Sequence, residues 1–258
     1  MDNQLLISVV TVCYNAVSTI EETMLSVLNQ TYTNIEYIII DGGSTDGTVD
    51  IIKKYADRLA YWISEPDKGI YDAMNKGIAV ATGDYINFMN AGDLFYDYDV
   101  LQKVFIEYSA NEDFIAGIAS LKGLRKFWIP APTDFSFIDV CNGHGVNHQA
   151  SFIKRTLLAN GYDISATIIA DDLFFIEKVV FENHSYRALP IIVSTFDVTG
   201  ISNSKAIIPE ILNERMRFLK TRLPERIIKD YISPRNTALK HLKLKIKRKL
   251  SNILHRCL

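Results

Sequence analysis

Cysteine is scarce in this chain, which has three among 258 residues. Cys13, Cys141 and Cys257 are odd in number and widely spaced, and they form neither a Cys-x-x-Cys pair nor a zinc-binding pattern. Long apolar runs are also missing: no uncharged stretch approaches the ~18 to 20 residues that span a bilayer. The N-terminus lacks the basic patch and cleavage site of a signal peptide. We therefore expect a protein of a reducing compartment, made and kept in the cytoplasm.

The composition excludes a chain that is disordered throughout. Apolar residues make up 48% and charged residues 22%, which is enough apolar surface for a packed core. The net charge of −2 conceals an asymmetry. Residues 215–258 hold 14 of the 28 Lys and Arg residues but two of the 30 acids, so they carry +12 and the rest of the chain carries −14. An acidic body with a basic tail suggests an acidic partner for the tail.

Strand and helix signals alternate over the first part of the chain. The run from Ile7 to Val12 is rich in β-branched residues, as buried parallel strands are. Further strands are predicted over residues 36–40, 59–63 and 85–89, and a helix over 70–81. This β-α-β-α-β order predicts an α/β fold, in which a mostly parallel sheet has helices on both faces.

Polar residues follow three of these predicted strands, as Tyr14-Asn15, Asp41-Gly42-Gly43 and Asn90-Ala91-Gly92-Asp93. Each cluster alone is equally well explained by strand termination and helix capping. Ligands of open α/β sheets, however, bind beyond the carboxyl ends of the strands, where all three clusters should meet. Tyr14 is suited to stacking on a base, Asp41 to accepting a hydrogen bond from a uracil N–H or a ribose hydroxyl, and Asp93 to binding Mg²⁺ or Mn²⁺ beside a diphosphate. Together they predict a nucleotide-sugar site.

The order of these motifs resembles that of the inverting family 2 glycosyltransferases. The resemblance is nearly continuous from Ile7 to Asp93, and its segments are Val9–Asn15, Ser26–Tyr32, Asp41–Thr48, Gly69–Gly77 and Ala81–Ile86. It implies the GT-A fold, a Rossmann-like and mostly parallel sheet flanked by helices. Where the family usually has an Asp-x-Asp motif, this chain has Asn90 to Asp93, with one acid left. That form resembles a subgroup linked to colanic acid and other surface polysaccharides.

The resemblance also implies roles for individual residues. Asp93 inherits the metal position, so a divalent ion, Mn²⁺ or Mg²⁺, is the implied cofactor. Asp171 is implied as the catalytic base at the start of a helix, with Asp172 as the alternative, although two acids there are also explained as partners of the helix dipole. The implied nucleotide-sugar contacts are Val12, Tyr14, Asn15, Asp41, Asp72, Asn75, Asn90, Ala91 and His148.

These roles together imply an inverting transfer. The sugar would move from a nucleotide-diphosphate donor, with UDP favoured, to a hydroxyl of a saccharide or lipid-linked acceptor in surface polysaccharide synthesis. Two rivals remain. A nucleotidyltransferase would share the sheet and the metal acid, but the loop after the first strand, Tyr14–Val17, lacks the expected glycines and basic residues. A non-catalytic sugar-nucleotide binding module is favoured slightly by the missing acids and opposed by Asp93 and Asp171.

The predicted domains are a glycosyltransferase domain over residues 1–204 and a helical basic tail over 205–258. The first divides into a nucleotide-sugar half, 1–95, and an acceptor half, 96–204. Within 238–258, a helix would carry an apolar stripe flanked by lysines, the pattern of a helix on an anionic membrane surface; the stripe is Leu239, Leu242, Ile246, Leu250, Ile253 and Leu254.

That tail pattern predicts a peripheral protein on the inner face of the cytoplasmic membrane. The alternative is a helix that packs on the acidic body of its own subunit or on that of another subunit. Packing on another subunit would make the protein a homo-oligomer. Strict alternation over residues 242–247 also allows a short strand. Nucleic acid ranks last as a partner, because the tail has few aromatic residues and the chain contains no nucleic-acid module.

Overall fold

A computed structural model describes residues 4–122, 128–133, 145–196 and 205–232. The chain divides into two compact units, Met1–Ile208 and Pro209–Leu258. The predicted domain division after residue 204 and the predicted membrane segment 238–258 involve residues outside the described ranges, and both stay predictions.

Four parallel strands form the first half of the sheet. They are β1 (Ile7–Cys13), β2 (Ile35–Asp41), β3 (Tyr61–Ser64) and β4 (Tyr85–Phe88), and β1 lies between β2 and β4. All seven residues of β1 are buried, because both of its edges are paired and helices cover both of its faces. The predicted parallel α/β sheet is confirmed.

The second half of the sheet is mixed. It contains β5 (Leu94–Phe95), β6 (Phe114–Leu121), β7 (Trp128–Ile129), β8 (Ser151–Lys154) and β9 (Tyr186–Phe196). The described strands join in the order β3-β2-β1-β4-β8-β6-β9-β5, with β7 beside β6. β8 runs antiparallel to both β4 and β6, whereas β6 and β9 are parallel. One sheet thus continues from the predicted nucleotide half into the predicted acceptor half.

Helices cover both faces of the parallel strands. Side chains of α1 (Ile20–Leu28) and α2 (Thr48–Lys54) share a core with Val9 of β1. α3 (Ile70–Val80) packs on β1 and β2. A Cβ on Gly77 of α3 would collide with a methyl group of Val10, so only glycine permits this close approach of the helix to the strand.

Two of the later helices begin as α-helices and continue as π-helices. α4 (Val100–Gln102) continues as a π-helix over Lys103–Glu107, and α5 (Ala170–Phe175) continues as a π-helix over Ile176–Phe181. α6 (Ile208–Arg222) begins at the last residue of the first unit, and α7 (Glu225–Ile232) follows it along the chain. None of the helices in the described ranges is long and apolar enough to cross a membrane.

Candidate active site

The carboxyl ends of β1 to β4 and their following loops form a connected edge. The Gly42 N–H donates to the carbonyl of Cys13 at 2.9 Å, which joins the ends of β2 and β1. The Ala91 N–H donates to the carbonyl of Val12 at 3.1 Å, which joins the loop after β4 to β1. Parallel pairing brings these ends to one edge, so the three predicted polar clusters do meet there.

Asp41 is fully buried at the end of β2, and its carboxylate organises the loop that follows. Its oxygens accept hydrogen bonds from the hydroxyls of Ser44 and Ser64, at 2.5 and 2.6 Å, and from the backbone N–H groups of Gly43 and Ser44. Burial raises the pKa of this carboxyl, but the bonds from Ser44 and Ser64 outweigh it and leave the pKa below its usual value. Asp41 is therefore an ionised anchor of the loop.

Tyr14 and Asn15 form the loop after β1. Asn15 has a left-handed φ of 47° and is tied to the next loop, because its N–H donates to Ser44 Oγ and its Oδ1 accepts from the Thr45 N–H. Tyr14 is 66% exposed. Tyr14 and Asp67 lie on either side of Gly42. A Cβ added to Gly42 would be 2.5 Å from Asp67 Oδ2 and 3.4 Å from the Tyr14 ring. The exposed ring of Tyr14 and the carboxylate of Asp67 thus flank the backbone of Gly42, which carries no side chain.

The turn at residues 90–93 follows β4. The Asp93 N–H donates to the carbonyl of Asn90 at 2.9 Å, and Gly92 has a φ of 102° that favours glycine. The Gly92 N–H donates to Thr23 Oγ1 of α1, which fixes the turn to the core. These bonds hold Asp93, which is partly exposed, at a defined place on the sheet edge.

The residues fit a metal ion that is held jointly with a substrate. In the described ranges no group of three or more His, Cys, Asp or Glu side chains could hold a metal ion by itself. Mg²⁺ in nucleotide sites is commonly held by one or two carboxylates together with substrate phosphates and water. Asp93 supplies one such carboxylate. The described residues therefore fit an ion shared with substrate phosphates, and they do not fit an ion held by protein groups alone.

His148 and Asp171 form a hydrogen-bonded pair next to this turn. His148 lies in the 3₁₀ helix His148–Ala150, and its Nδ1 is 2.9 Å from Asp171 Oδ2 in the first turn of α5. His148 Nε2 is 3.0 Å from Asn90 Nδ2. The side chains of His148 and Asp171 are 22% and 19% exposed, so the pair is mostly buried but retains some contact with solvent. The imidazole thereby links the loop after β4 to the start of α5.

Each member of the pair stabilises the charged form of the other. Burial lowers the pKa of His148, but the hydrogen bond and charge of Asp171, with a further contribution from Asp93, raise it above its usual value. Burial raises the pKa of Asp171, but His148 and then Tyr71 lower it below its usual value. The Asn90 amide can bind both the neutral and the protonated form of His148. Its Nδ2 can donate to an unprotonated Nε2, and after rotation of the amide by 180° its Oδ1 can accept from a protonated Nε2. That Oδ1 is buried and has no partner among the described residues.

The remaining predicted residues lie on α3. The carboxylate of Asp72 accepts from the Lys68 N–H at 3.0 Å, in the turn that begins the helix. Asn75 points toward the segment before α5: its Nδ2 donates to the Tyr162 carbonyl at 2.9 Å and its Oδ1 accepts from the Tyr162 N–H at 2.7 Å. These contacts give Asn75 a role in holding that segment.

Two features of the site were missed by the sequence analysis. Tyr71 Oη donates to Asp171 Oδ1 at 2.6 Å, a contact between residues that are far apart in sequence. Asp67 lies beside Gly42 at the exposed edge. Tyr71 lies in the segment Gly69–Gly77 that resembles the family, but nothing in the neighbouring sequence indicates that its hydroxyl binds an acid. Asp67 lies just before that segment.

Comparison with known proteins decides the family. The sequence model described as glycosyl transferase family 2 matches residues 8–184, which is more than half of the chain. The chain belongs to this family. A relative from Mycobacterium tuberculosis, described as an uncharacterized glycosyltransferase, is 36% identical over 208 residues, 77% of this chain and 78% of that one. The PGL/p-HBAD biosynthesis glycosyltransferase of Mycobacterium bovis is 29% identical over 207 residues, 76% of this chain and 79% of that one.

Solved structures show the same fold. S. aureus TarS 1-349 in complex with UDP-GlcNAc matches with a TM-score of 0.63 at 19% identity, over 88% of this chain and 70% of that one. A longer TarS structure is matched over 42% of its length, so this glycosyltransferase spans under half of that protein. The mannosyltransferase PcManGT from Pyrobaculum calidifontis, solved with GDP-Man and Mn²⁺, matches with a TM-score of 0.57 at 22% identity, over 75% of this chain and 57% of that one. The GT-A fold expected from the sequence is confirmed.

Proposed function

We propose that this glycosyltransferase moves a sugar from a UDP-sugar to a hydroxyl of a saccharide or lipid-linked acceptor, with inversion at the anomeric carbon. The observation that carries the proposal is the contact of His148 with both Asn90 and Asp171. It supports a base that lies next to the turn where the donor diphosphate would bind. The choice of UDP is supported by the structural similarity to TarS, which was solved with UDP-GlcNAc.

The donor would bind at the carboxyl ends of β1, β2 and β4. The exposed ring of Tyr14 is suited to stacking on the base, above a loop that Asp41 and Asn15 keep in shape. The backbone at Val12 and Ala91 lines the same edge. Asp41 has its lone pairs occupied by the loop, so any hydrogen bond to the nucleotide would be shared with those partners.

Asp93 would hold Mn²⁺ or Mg²⁺ together with the donor diphosphate. Such an ion supplies positive charge that stabilises the departing nucleotide diphosphate. Asp67 lies beside Gly42 and Asp93 lies in the turn after β4, at the same edge of the sheet, which supports a cation as the partner of the donor phosphates. The solved mannosyltransferase contains Mn²⁺ with its sugar nucleotide.

Asp171 would act as the general base. Its pKa lies below the usual value, so the carboxylate is ionised at neutral pH and ready to accept the proton of the acceptor hydroxyl. The hydroxyl oxygen then forms a bond to the anomeric carbon while the bond from that carbon to the diphosphate oxygen breaks on the opposite face. A single displacement of this kind inverts the carbon and needs no covalent enzyme intermediate.

We further propose that residues 1–204 carry the catalysis and that residues 238–258 bind an anionic membrane surface. The support is the charge of +12 over residues 215–258 and the apolar stripe within them. A lipid-linked acceptor would then meet the enzyme at the inner face of the cytoplasmic membrane.

The decisive experiment incubates purified protein with UDP-, GDP- and dTDP-sugars and records its melting temperature with and without Mn²⁺, together with release of the nucleotide diphosphate. We expect stabilisation by one nucleotide class that depends on Mn²⁺, and slow release of UDP with water as acceptor. Stabilisation by UDP-sugars without any release, even with saccharide and lipid acceptors present, would favour a binding module instead. Release of pyrophosphate from a nucleoside triphosphate and a sugar phosphate would favour a nucleotidyltransferase.

A further inference from the structure

Tyr71 connects the first turn of α3 to the proposed base. It is 6% exposed, and its Oη lies 2.6 Å from Asp171 Oδ1 and 2.9 Å from the carbonyl oxygen of Ile168. Both acceptors belong to the stretch that enters α5. Burial above all, and then the charge of Asp171, raise the pKa of Tyr71 far above its usual range. The phenol is therefore protonated at neutral pH and donates a hydrogen bond there.

The same helix holds the neighbouring chain segment one turn further on. Asn75 is four residues after Tyr71 and so lies on the same face of α3. It binds both backbone groups of Tyr162, and the rings of Tyr71 and Tyr162 meet edge to face at 5.6 Å. This face of α3 thus fixes the segment between Tyr162 and Asp171 at two points.

We propose that Tyr71 is a positioning residue for the catalytic carboxylate, an inference that rests on the proposed role of Asp171. Tyr71 holds Oδ1 and His148 holds Oδ2, so the carboxylate cannot turn about its Cβ–Cγ bond without losing one of the two. A carboxylate held at both oxygens keeps its plane fixed, so the lone pair that accepts the proton of the acceptor hydroxyl keeps a fixed direction. Tyr71 itself exchanges no proton and touches no substrate.

Loss of this hydrogen bond has a defined kinetic consequence. A hydrogen bond to a charged group is strong enough that its removal should lower kcat ~10-fold or more. The affinity for the donor should not change, because Tyr71 has no contact with the loops after β1, β2 and β4 among the described hydrogen bonds. A residue that acted through packing alone would tolerate phenylalanine, which keeps the ring.

The protonation of Asp171 and His148 should change as well. The titratable groups that face Asp171 are Tyr71, His148 and Tyr162. The charge of Asp171 helps to raise the pKa of Tyr162. Asp93 acts on His148 from the turn after β4. Since Tyr71 lowers the pKa of Asp171, its removal should shift the acidic limb of the kcat profile to higher pH. It should also raise the pKa of His148, because the carboxylate then gives its whole charge to the imidazole.

The test compares Tyr71→Phe with a matched control, Tyr162→Phe. The control removes a buried hydroxyl that has no hydrogen-bond partner among the described residues, in a ring that packs on the first. Four quantities are measured for each protein: melting temperature, affinity for UDP with Mn²⁺, the pH profile of UDP release with water as acceptor, and the His148 pKa by NMR of histidine-labelled protein. We expect Tyr71→Phe alone to lose kcat, to shift the acidic limb and to raise the His148 pKa, with donor affinity retained.

The outcomes separate this proposal from the proposed function. Equal kcat, pH profile and His148 pKa in Tyr71→Phe and wild type would overturn the positioning role while transfer stands. Equal losses in Tyr71→Phe and Tyr162→Phe would overturn it too, because they would show a packing effect. If the wild type itself releases no nucleotide diphosphate, the proposed function fails, and an unchanged His148 pKa in Tyr71→Phe would still count against the contact.

Discussion

His148 Nδ1 lies 2.9 Å from Asp171 Oδ2, although β8 and its following segment separate the two residues along the chain. The second ring nitrogen of His148 meets Asn90 in the loop after β4. One imidazole is therefore in contact with the strand edge proposed for the donor and with the helix that carries the proposed base. The imidazole is thus the one ring that contacts both Asn90 and Asp171 among the described residues.

Asp171→Asn should abolish most of the transfer while donor binding remains. The amide fills the same space but cannot accept the proton of the acceptor hydroxyl, and loss of a positioned base typically costs ~10² to 10⁴-fold in rate. The measurement is kcat for sugar transfer, with UDP affinity as the control for an intact donor site. Asp172→Asn is the matched variant one residue along. Near-normal turnover in Asp171→Asn with collapse in Asp172→Asn would assign the base to Asp172.

The pair should give stability that depends on pH. The pKa of Asp171 is lowered, so its contribution is present above ~3.9, its usual value, and is lost as the pH falls through the folded value. The pKa of His148 is raised, so its contribution is complete below ~6.5 and is lost as the pH rises through the folded value. The pair should thus stabilise the fold most between about pH 4 and 6.5.

This dependence can be measured as the difference in melting temperature between wild type and His148→Gln. We expect a larger difference at pH 5.5 than at pH 9. Lys54→Gln serves as the control, because its ion pair with Glu21 is exposed and should contribute little at either pH. A difference for His148→Gln that is the same at both pH values would contradict a charged pair.

Asp93→Ala should remove the metal-dependent part of donor binding and leave the fold intact. Asp93 is the acid that remains in the motif over residues 90–93, and it lies in a partly exposed turn whose backbone bonds do not need its side chain. The check is the shift in melting temperature caused by UDP with Mn²⁺. Asp57→Ala is the control, since Asp57 is exposed before the amino end of β3. A Mn²⁺-dependent shift that survives in Asp93→Ala would refute the assignment.

Asp41→Ala should destabilise the fold, in contrast to Asp93→Ala. Its removal takes a fully buried acceptor away from the hydroxyls of Ser44 and Ser64 and from two backbone N–H groups, all in partly buried hydrogen bonds, which should lower the free energy of unfolding by ~2 kcal/mol or more. Denaturant unfolding measures the loss. Ser64→Ala removes a single donor and should cost less. Equal stability of Asp41→Ala and wild type would show that water replaces the carboxylate.

The sequence was sufficient for the parallel half of the sheet. Its strands carry continuous β-branched or apolar runs, and each is followed by polar residues that end it, so the pattern is local and can be recognised without the partner strands. Strand β1, predicted over Ile7–Val12, spans Ile7–Cys13, and the helix predicted over residues 70–81 spans Ile70–Val80. The order of motifs then pointed to the family.

The contacts within the site could not be predicted in the same way. Tyr71 meets Asp171 because two helices from different halves of the chain approach each other, and no local pattern encodes that approach. Asp41 was expected to bind the nucleotide, yet its lone pairs serve the loop after β2, since a buried carboxylate must find donors wherever the fold supplies them. The widening of α5 over Ile176–Phe181 left no signal in the spacing of apolar residues either.

The basic tail provides the last prediction, which rests on charge and periodicity in the sequence. Residues 235–258 contain basic residues and no acid, and their apolar stripe would lie at the lipid boundary. Attraction of basic side chains to anionic lipid is screened by salt, with a Debye length of ~8 Å at physiological ionic strength. The apolar stripe is not screened in this way, so two contributions to membrane binding should be separable.

Truncation after Pro234 should leave a folded protein that binds donor but no longer binds vesicles of phosphatidylcholine and phosphatidylserine. For the full chain, we expect flotation with these vesicles to weaken as salt rises and to keep a salt-resistant remainder from the apolar stripe. Vesicles of phosphatidylcholine alone are the control, because they lack the anionic charge. Equal flotation of both proteins, or of neither, would mean that the tail packs on protein, and the mass of the full-length and truncated forms in solution would then show whether it joins subunits.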